Sequence, residues 1–170
     1  MKKIINILII CVVLILGIAI VYLKVNSKDV VRASEEEVIK YANEFIESRV
    51  SAVGAAPDAW KEGTEIDEKR EIYDVNDNIN AYVINLKNKN DECGYILIKL
   101  LDDGSMDVPE YGYDGKHYLC SNKFSNDIKE DKIVCAGGGY YFQQEDGTYI
   151  SVHGLMEGDR TKLTKKQITK

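Results

Sequence analysis

The chain is poor in the residues that most often carry chemistry. Among 170 residues there are two histidines, one tryptophan, three phenylalanines and four cysteines, so little material exists for a histidine- or cysteine-rich metal site. Two prolines and 13 glycines are too few for a long flexible linker or a collagen-like repeat. No excess of positive charge is present. Lys and Arg number 22 against 28 Asp and Glu, a net charge of −6, which argues against nucleic acid as a partner. The remaining composition, 45% hydrophobic and 29% charged, is that of a folded chain of one-domain length.

The amino-terminal region differs from the rest. After Met1-Lys2-Lys3, the run from Ile4 to Leu23 has no charged side chain, and Asn6 is its only strongly polar one. At 1.5 Å of rise per residue, about 20 helical residues match a hydrocarbon core of about 30 Å, so residues 1–23 read as a transmembrane anchor. A cleaved signal segment is the alternative, with Gly17-Ile18-Ala19 as a small-x-small site. Lys2 and Lys3 on one side and Lys24, Lys28 and Arg32 on the other leave the positive-inside balance nearly even. The short basic head favours export of the body. The expected location is a single-pass membrane protein with an extracytoplasmic domain, or a secreted protein if the segment is cleaved.

Residues 24–33 form a polar spacer, 34–159 the expected α+β domain, and 160–170 a basic tail. Positions 24–159 hold 15 basic and 28 acidic side chains, a net −13, whereas the tail holds five basic ones and no acid. That tail reads as a solvated end, or as a contact for anionic polymer or lipid headgroups.

Ser34 with Glu37 three residues later is a capping-box signature. Val38, Tyr41, Ala42, Phe45 and Ile46 then recur as one helical stripe that should end near Val50. Glu71–Val75, Ile79–Leu86 and Gly94–Leu101 read as strands separated by polar turns, with a fourth ending near Tyr111. A helical turn near Ser125–Glu130 and strands at Lys132–Ala136, Tyr140–Gln144 and Tyr149–His153 complete the pattern. The expected fold is α+β: an N-terminal transmembrane helix, then a helix packed on an antiparallel meander sheet.

Cys11 lies in the apolar run; Cys93, Cys120 and Cys135 follow it. Three thiols allow at most one internal bridge, and their spacing fits no zinc pattern. Free, half-buried thiols and a Cys120–Cys135 bridge both remain open. A nucleophilic cysteine needs an imidazole, which His153 or His117 could offer Cys135. Cys135, however, sits in a strand ahead of Gly137-Gly138-Gly139, away from any helix amino terminus that would stabilise a thiolate. No catalytic site is expected. The glycine triplet precedes Tyr140-Tyr141-Phe142 and reads as a hairpin, lacking the strand-to-helix context of a phosphate loop. The turns Asp102–Asp107 and Asp74–Asn78 lack the sixth-position Gly and twelfth-position Glu of a calcium loop. No metal or cofactor is expected. Eleven tyrosines include Tyr111, Tyr113 and Tyr118 around Gly112, Asp114 and Gly115, a composition suited to half-buried sheet edges and to contact surfaces.

One stretch has a family texture. Ala81-Tyr82-Val83-Ile84-Asn85-Leu86, a polar turn, Gly94-Tyr95-Ile96-Leu97-Ile98, an acidic turn, Val108-Pro109-Glu110-Tyr111-Gly112 and Gly115-Lys116-His117-Tyr118 follow in order. With the preceding helix, residues 34–120 resemble the prodomain of streptopain-type cysteine peptidases and the free-standing inhibitors related to it. The mature peptidase part has no counterpart here. A looser likeness, in architecture alone, is to exported PepSY-type domains. Taken with the apolar amino-terminal run, the resemblance implies a non-catalytic, membrane-tethered binding module that blocks a secreted cysteine peptidase sterically. It would lay Met106–Tyr113 or Tyr111–Tyr118 across the cleft, with Met106, Tyr111, Tyr113 and Tyr118 as partner contacts. The alternative is a non-catalytic cell-envelope protein with a structural, sensing or assembly role.

Overall fold

A computed structural model describes residues 32–52, 60–120 and 132–169. Helix α1 (Glu35–Val50) begins as its sequence dictates. The Ser34 hydroxyl accepts the Glu37 N–H at 3.3 Å, and the Glu37 carboxylate accepts the Ser34 N–H at 2.7 Å. Val38, Ala42 and Ile46, four residues apart, form its buried stripe. Two further helices are short: α2 (Val152–Met156) and α3 (Lys165–Ile168), and a 3₁₀ turn spans Tyr118–Cys120.

Eight strands follow α1: β1 (Thr64–Tyr73), β2 (Ile79–Asn88), β3 (Asp91–Leu100), β4 (Met106–Gly112), β5 (Lys132–Ala136), β6 (Gly139–Gln143), β7 (Tyr149–Ser151) and β8 (Lys162–Leu163). They build one sheet in the order β4-β3-β2-β1-β5-β6-β7-β8. The β5–β6 hairpin closes through Gly137 and Gly138, both at positive φ (53° and 80°), as a two-residue turn of this twist requires.

The sheet is mixed, which corrects the expected antiparallel meander. Ile72 and Tyr73 of β1 lie parallel to Ile133 and Val134 of β5, while every other neighbouring pair is antiparallel. The chain leaves the β4 edge and re-enters the sheet beside β1, joining two antiparallel runs through one parallel contact. Alternation along a strand reveals its faces but not a neighbour so distant in sequence.

The expected membrane helix is corrected as well. Among the described residues no helix is long and apolar enough to cross a membrane, and the run Ile4–Leu23 lies outside them. The single-pass location expected from that run therefore has no spanning helix to support it among the described residues. The helical turn expected near Ser125–Glu130 also lies outside the described residues. Residues 160–169, set apart in the sequence by charge, contribute β8 and α3, and Ile168 is buried.

Three apolar clusters hold the sheet. On the α1 side, Tyr82, Ile84 and Leu86 of β2 and Ile96, Ile98 and Leu100 of β3 pack against Val38, Ala42 and Ile46. On the opposite side Ala81, Val83 and Leu97 join Ile72, Ile133, Phe142 and Ile150 beneath Leu119, Cys120 and Val152. Strand β2 is thus buried on both faces from Ala81 to Leu86, and each fully buried aliphatic side chain there contributes about 1.5–3 kcal/mol. The third cluster, Val134, Tyr149 and Ile168, seats α3.

Candidate interaction surface

Strand β4 is an edge of the sheet, and the edge is blunted. Its pairing with β3 slips between Leu97/Glu110 and Lys99/Asp107, placing Val108 and Pro109 opposite the irregularity. Proline offers no N–H to a docking strand. Beyond the slip, neighbouring side chains point to opposite faces. Tyr111 faces α1, and Glu110 faces the other way, level with Leu97.

On the α1 side Tyr111 enters a ring cluster with Phe45 (5.4 Å between centroids), Trp60 (6.1 Å) and Tyr113 (5.6 Å), all edge-on. The Arg49 guanidinium caps it, 4.8 Å from the Phe45 centroid and 4.9 Å from that of Tyr111. Gly94 makes the packing possible. A Cβ there would stand 2.2 Å from the Gly112 carbonyl oxygen and 2.6 Å from Trp60 Nε1, and its φ is +138°. The same glycine adjoins a bulge in which Leu86 pairs with Gly94 and Lys87 with Glu92, leaving Cys93 to bridge to Gly115.

On the opposite side a second cluster gathers around His117. Its ring meets Tyr95 edge-on at 4.7 Å and Tyr118 at 4.3 Å with a tilt of 32°, while Tyr118 meets Tyr140 at 6.3 Å. The backbone here is pinned by Asn85, which is fully buried amid the apolar residues of β2. Asn85 Oδ1 accepts the His117 N–H at 3.1 Å. His117 Nδ1 accepts the Leu119 N–H at 3.2 Å, so the neutral ring carries its proton on Nε2. That N–H has no hydrogen-bond partner and faces Glu110 Oε1 at 3.6 Å. Glu110 Oε1 accepts the Tyr95 hydroxyl at 2.9 Å. Burial lowers the His117 pKa against the opposing pull of Glu110. Burial, followed by the Glu110 bond, pushes Tyr95 up to about 12, and burial does the same for Tyr140.

The four side chains expected to contact a partner therefore divide. Met106, Tyr111 and Tyr113 are half-buried against the α1-side cluster. Tyr118 stands on the other face and is 37% exposed. Sequence reading missed Tyr95, Glu110 and Tyr140 as its neighbours. One signal was available, a buried-strand pattern broken by Asn85, since a polar side chain inside a doubly buried strand must be holding something.

The remaining candidates fall elsewhere. Cys93, Cys120 and Cys135 are free thiols. Burial raises all three, Cys120 to about 11, which disfavours the thiolate a nucleophile needs. His153 lies on α2 with its side chain exposed and Nε2 3.3 Å from Glu157. In the two acidic turns the oxygens serve the backbone. Asp74 accepts the Asn76 and Asn78 N–H groups, and Asp103 accepts the Ser105 N–H and hydroxyl. Among the described residues no group of three or more His, Cys, Asp and Glu could hold a metal ion. Comparison with protein-family models, with curated proteins and with solved structures finds no match for this chain.

Proposed function

We propose that the chain is a non-catalytic binding module that occupies the cleft of a cysteine peptidase and blocks it sterically, as the prodomains it resembles do. The observation that carries this reading is Tyr118, a large aromatic side chain left 37% exposed on a backbone pinned by buried groups. Tight interfaces are dominated by a few aromatic anchors, and an anchor already held in place loses little freedom on docking. Glu110, its side chain 45% exposed beside it, supplies a charged contact. Met106, Tyr111 and Tyr113 would act from beneath, setting the course of the β4 edge.

The test is a titration of the full chain against a streptopain-type cysteine peptidase. Competitive inhibition at micromolar concentration, weakened about tenfold or more by Tyr118→Ala, is expected, since truncating an anchor costs about 2 kcal/mol. Absence of both inhibition and binding rejects the proposal.

A further inference from the structure

We propose that Glu110, with the rings of Tyr118 and Tyr140, forms a receptor for an arginine side chain of a partner polypeptide. The inference goes beyond the peptidase reading, because it does not require the partner to be an enzyme.

The α1 face of the same strand shows what the opposite face lacks. There, Tyr111 belongs to an aromatic cluster closed by the guanidinium of Arg49, within 5 Å of two ring centroids. On the other face Tyr95, His117, Tyr118 and Tyr140 form a comparable array of rings. This array adds a carboxylate, and among the described residues no lysine or arginine is paired with it. Glu110 Oε1 receives the Tyr95 hydroxyl and faces His117 Nε2, a contact of 3.6 Å that is too long for a hydrogen bond. His117 brings no charge, because its Nδ1 already accepts a backbone N–H. Lys99 bears on Cys135 but makes no ion pair with Glu110 among the described residues. Lys116, the other nearby cation in sequence, is engaged with Asp67, Glu68 and Glu92 at 3.4–3.6 Å.

An aromatic face beside a carboxylate attracts a cation by quadrupole and charge together. Arginine fits it better than lysine. Its planar guanidinium can stack on a ring while its edge donates to the carboxylate, whereas an ammonium is a compact, strongly hydrated point charge. The surrounding charge acts in the same direction, since positions 24–159 carry a net −13 and steer a basic segment toward the surface.

The experiment follows backbone amide shifts of the isotopically labelled full chain during titration with acetyl-Gly-Arg-Gly-amide. The matched control is the peptide in which citrulline, isosteric and uncharged, replaces arginine. Saturable shifts centred on Glu110, His117, Tyr118 and Tyr140 are expected, with binding about tenfold weaker for the citrulline peptide and for Glu110→Gln. Glu110→Gln keeps an acceptor for the Tyr95 hydroxyl. Tyr118→Leu, at a part-exposed position, tests the stacking separately and should also weaken binding. Three results overturn the proposal: no saturable shift in the millimolar range, equal binding of both peptides, or shifts centred on the Asp67, Glu68 and Glu92 strip. None of these depends on whether a peptidase is inhibited.

Discussion

Two aromatic clusters flank one edge strand, and they differ in how they are finished. The α1-side cluster of Phe45, Trp60, Tyr111 and Tyr113 is closed from within by Arg49. The opposite cluster of Tyr95, His117, Tyr118 and Tyr140 rests on polar supports, Asn85 and the Leu119 N–H, and leaves Glu110 and Tyr118 partly exposed. Alternation along β4 produces both, Tyr111 going to one and Glu110 to the other. A single strand thus contributes to two differently finished faces: among the described residues one carries its own guanidinium cap, and the other pairs its carboxylate with no lysine or arginine.

The comparison can be broken most severely from beneath the second cluster. Phe142 is fully buried among Ile72, Val83, Leu119 and Ile133, and Phe142→Ala should destabilise the fold by about 3–5 kcal/mol. Urea unfolding measures it, and a loss below about 1 kcal/mol would mean that this face is not a packed core. Gly94→Ala strikes the α1-side cluster instead. Its Cβ would meet the Gly112 carbonyl and Trp60 Nε1 at a φ suited to glycine, for a cost of about 3 kcal/mol from overpacking and strain. A lowered urea midpoint with diminished Trp60 fluorescence change on unfolding is the expected signature. Arg49→Met, which keeps the apolar stem and removes the charge, should cost about 1 kcal/mol. It would also make the two faces more alike, so an arginine peptide that perturbs only the His117 side in the parent chain should then perturb the Tyr111 side weakly or not at all, because among the described residues no carboxylate contacts that ring cluster.

Much of the α1–β3 region was legible because its signals are local. A capping box, a 3.6-residue stripe from Val38 to Ile46 and two-residue alternation from Tyr82 to Leu86 each need only near neighbours. The first half of β1, Thr64–Arg70, was not legible, since its charged side chains form ion pairs across the surface, Lys69 with Glu35 and Asp67 with Lys87, without showing an apolar face. The parallel contact of β1 with β5 joins residues about sixty apart and leaves no local trace. Net charge hid β8 and α3, although Leu163 and Ile168 were the residues to notice. Tyr118 stood out as one of three tyrosines clustered around Gly112, Asp114 and Gly115. Its partners did not, because Tyr95, Glu110 and Tyr140 come from three strands that meet only through the sheet's register.

The finest distinction between the faces is titratable. His117 is the only histidine buried in either cluster, and the groups facing it are Glu110 from β4, Tyr95 from β3, Tyr118 in the 3₁₀ turn and, beyond Tyr118, Tyr140 from β6. Burial holds its pKa below the ordinary 6.5. Between that lowered value and 6.5 the unfolded chain binds a proton that the native chain does not, so the stabilisation is complete above about pH 6.5 and is lost as the pH falls through this window. The cause is geometric as well as solvational: a proton on Nδ1 would face the Leu119 N–H, replacing a hydrogen bond with two opposed donors. Carboxylates such as Asp74 and Asp103, lowered below 3.8 in the fold, lose their contributions only at more acid pH. Urea midpoints measured from about pH 7.5 to about pH 5 should therefore decline in the parent chain and stay nearly flat in His117→Gln. An equal decline in both would remove His117 from the account and leave the two clusters alike in their response to acid.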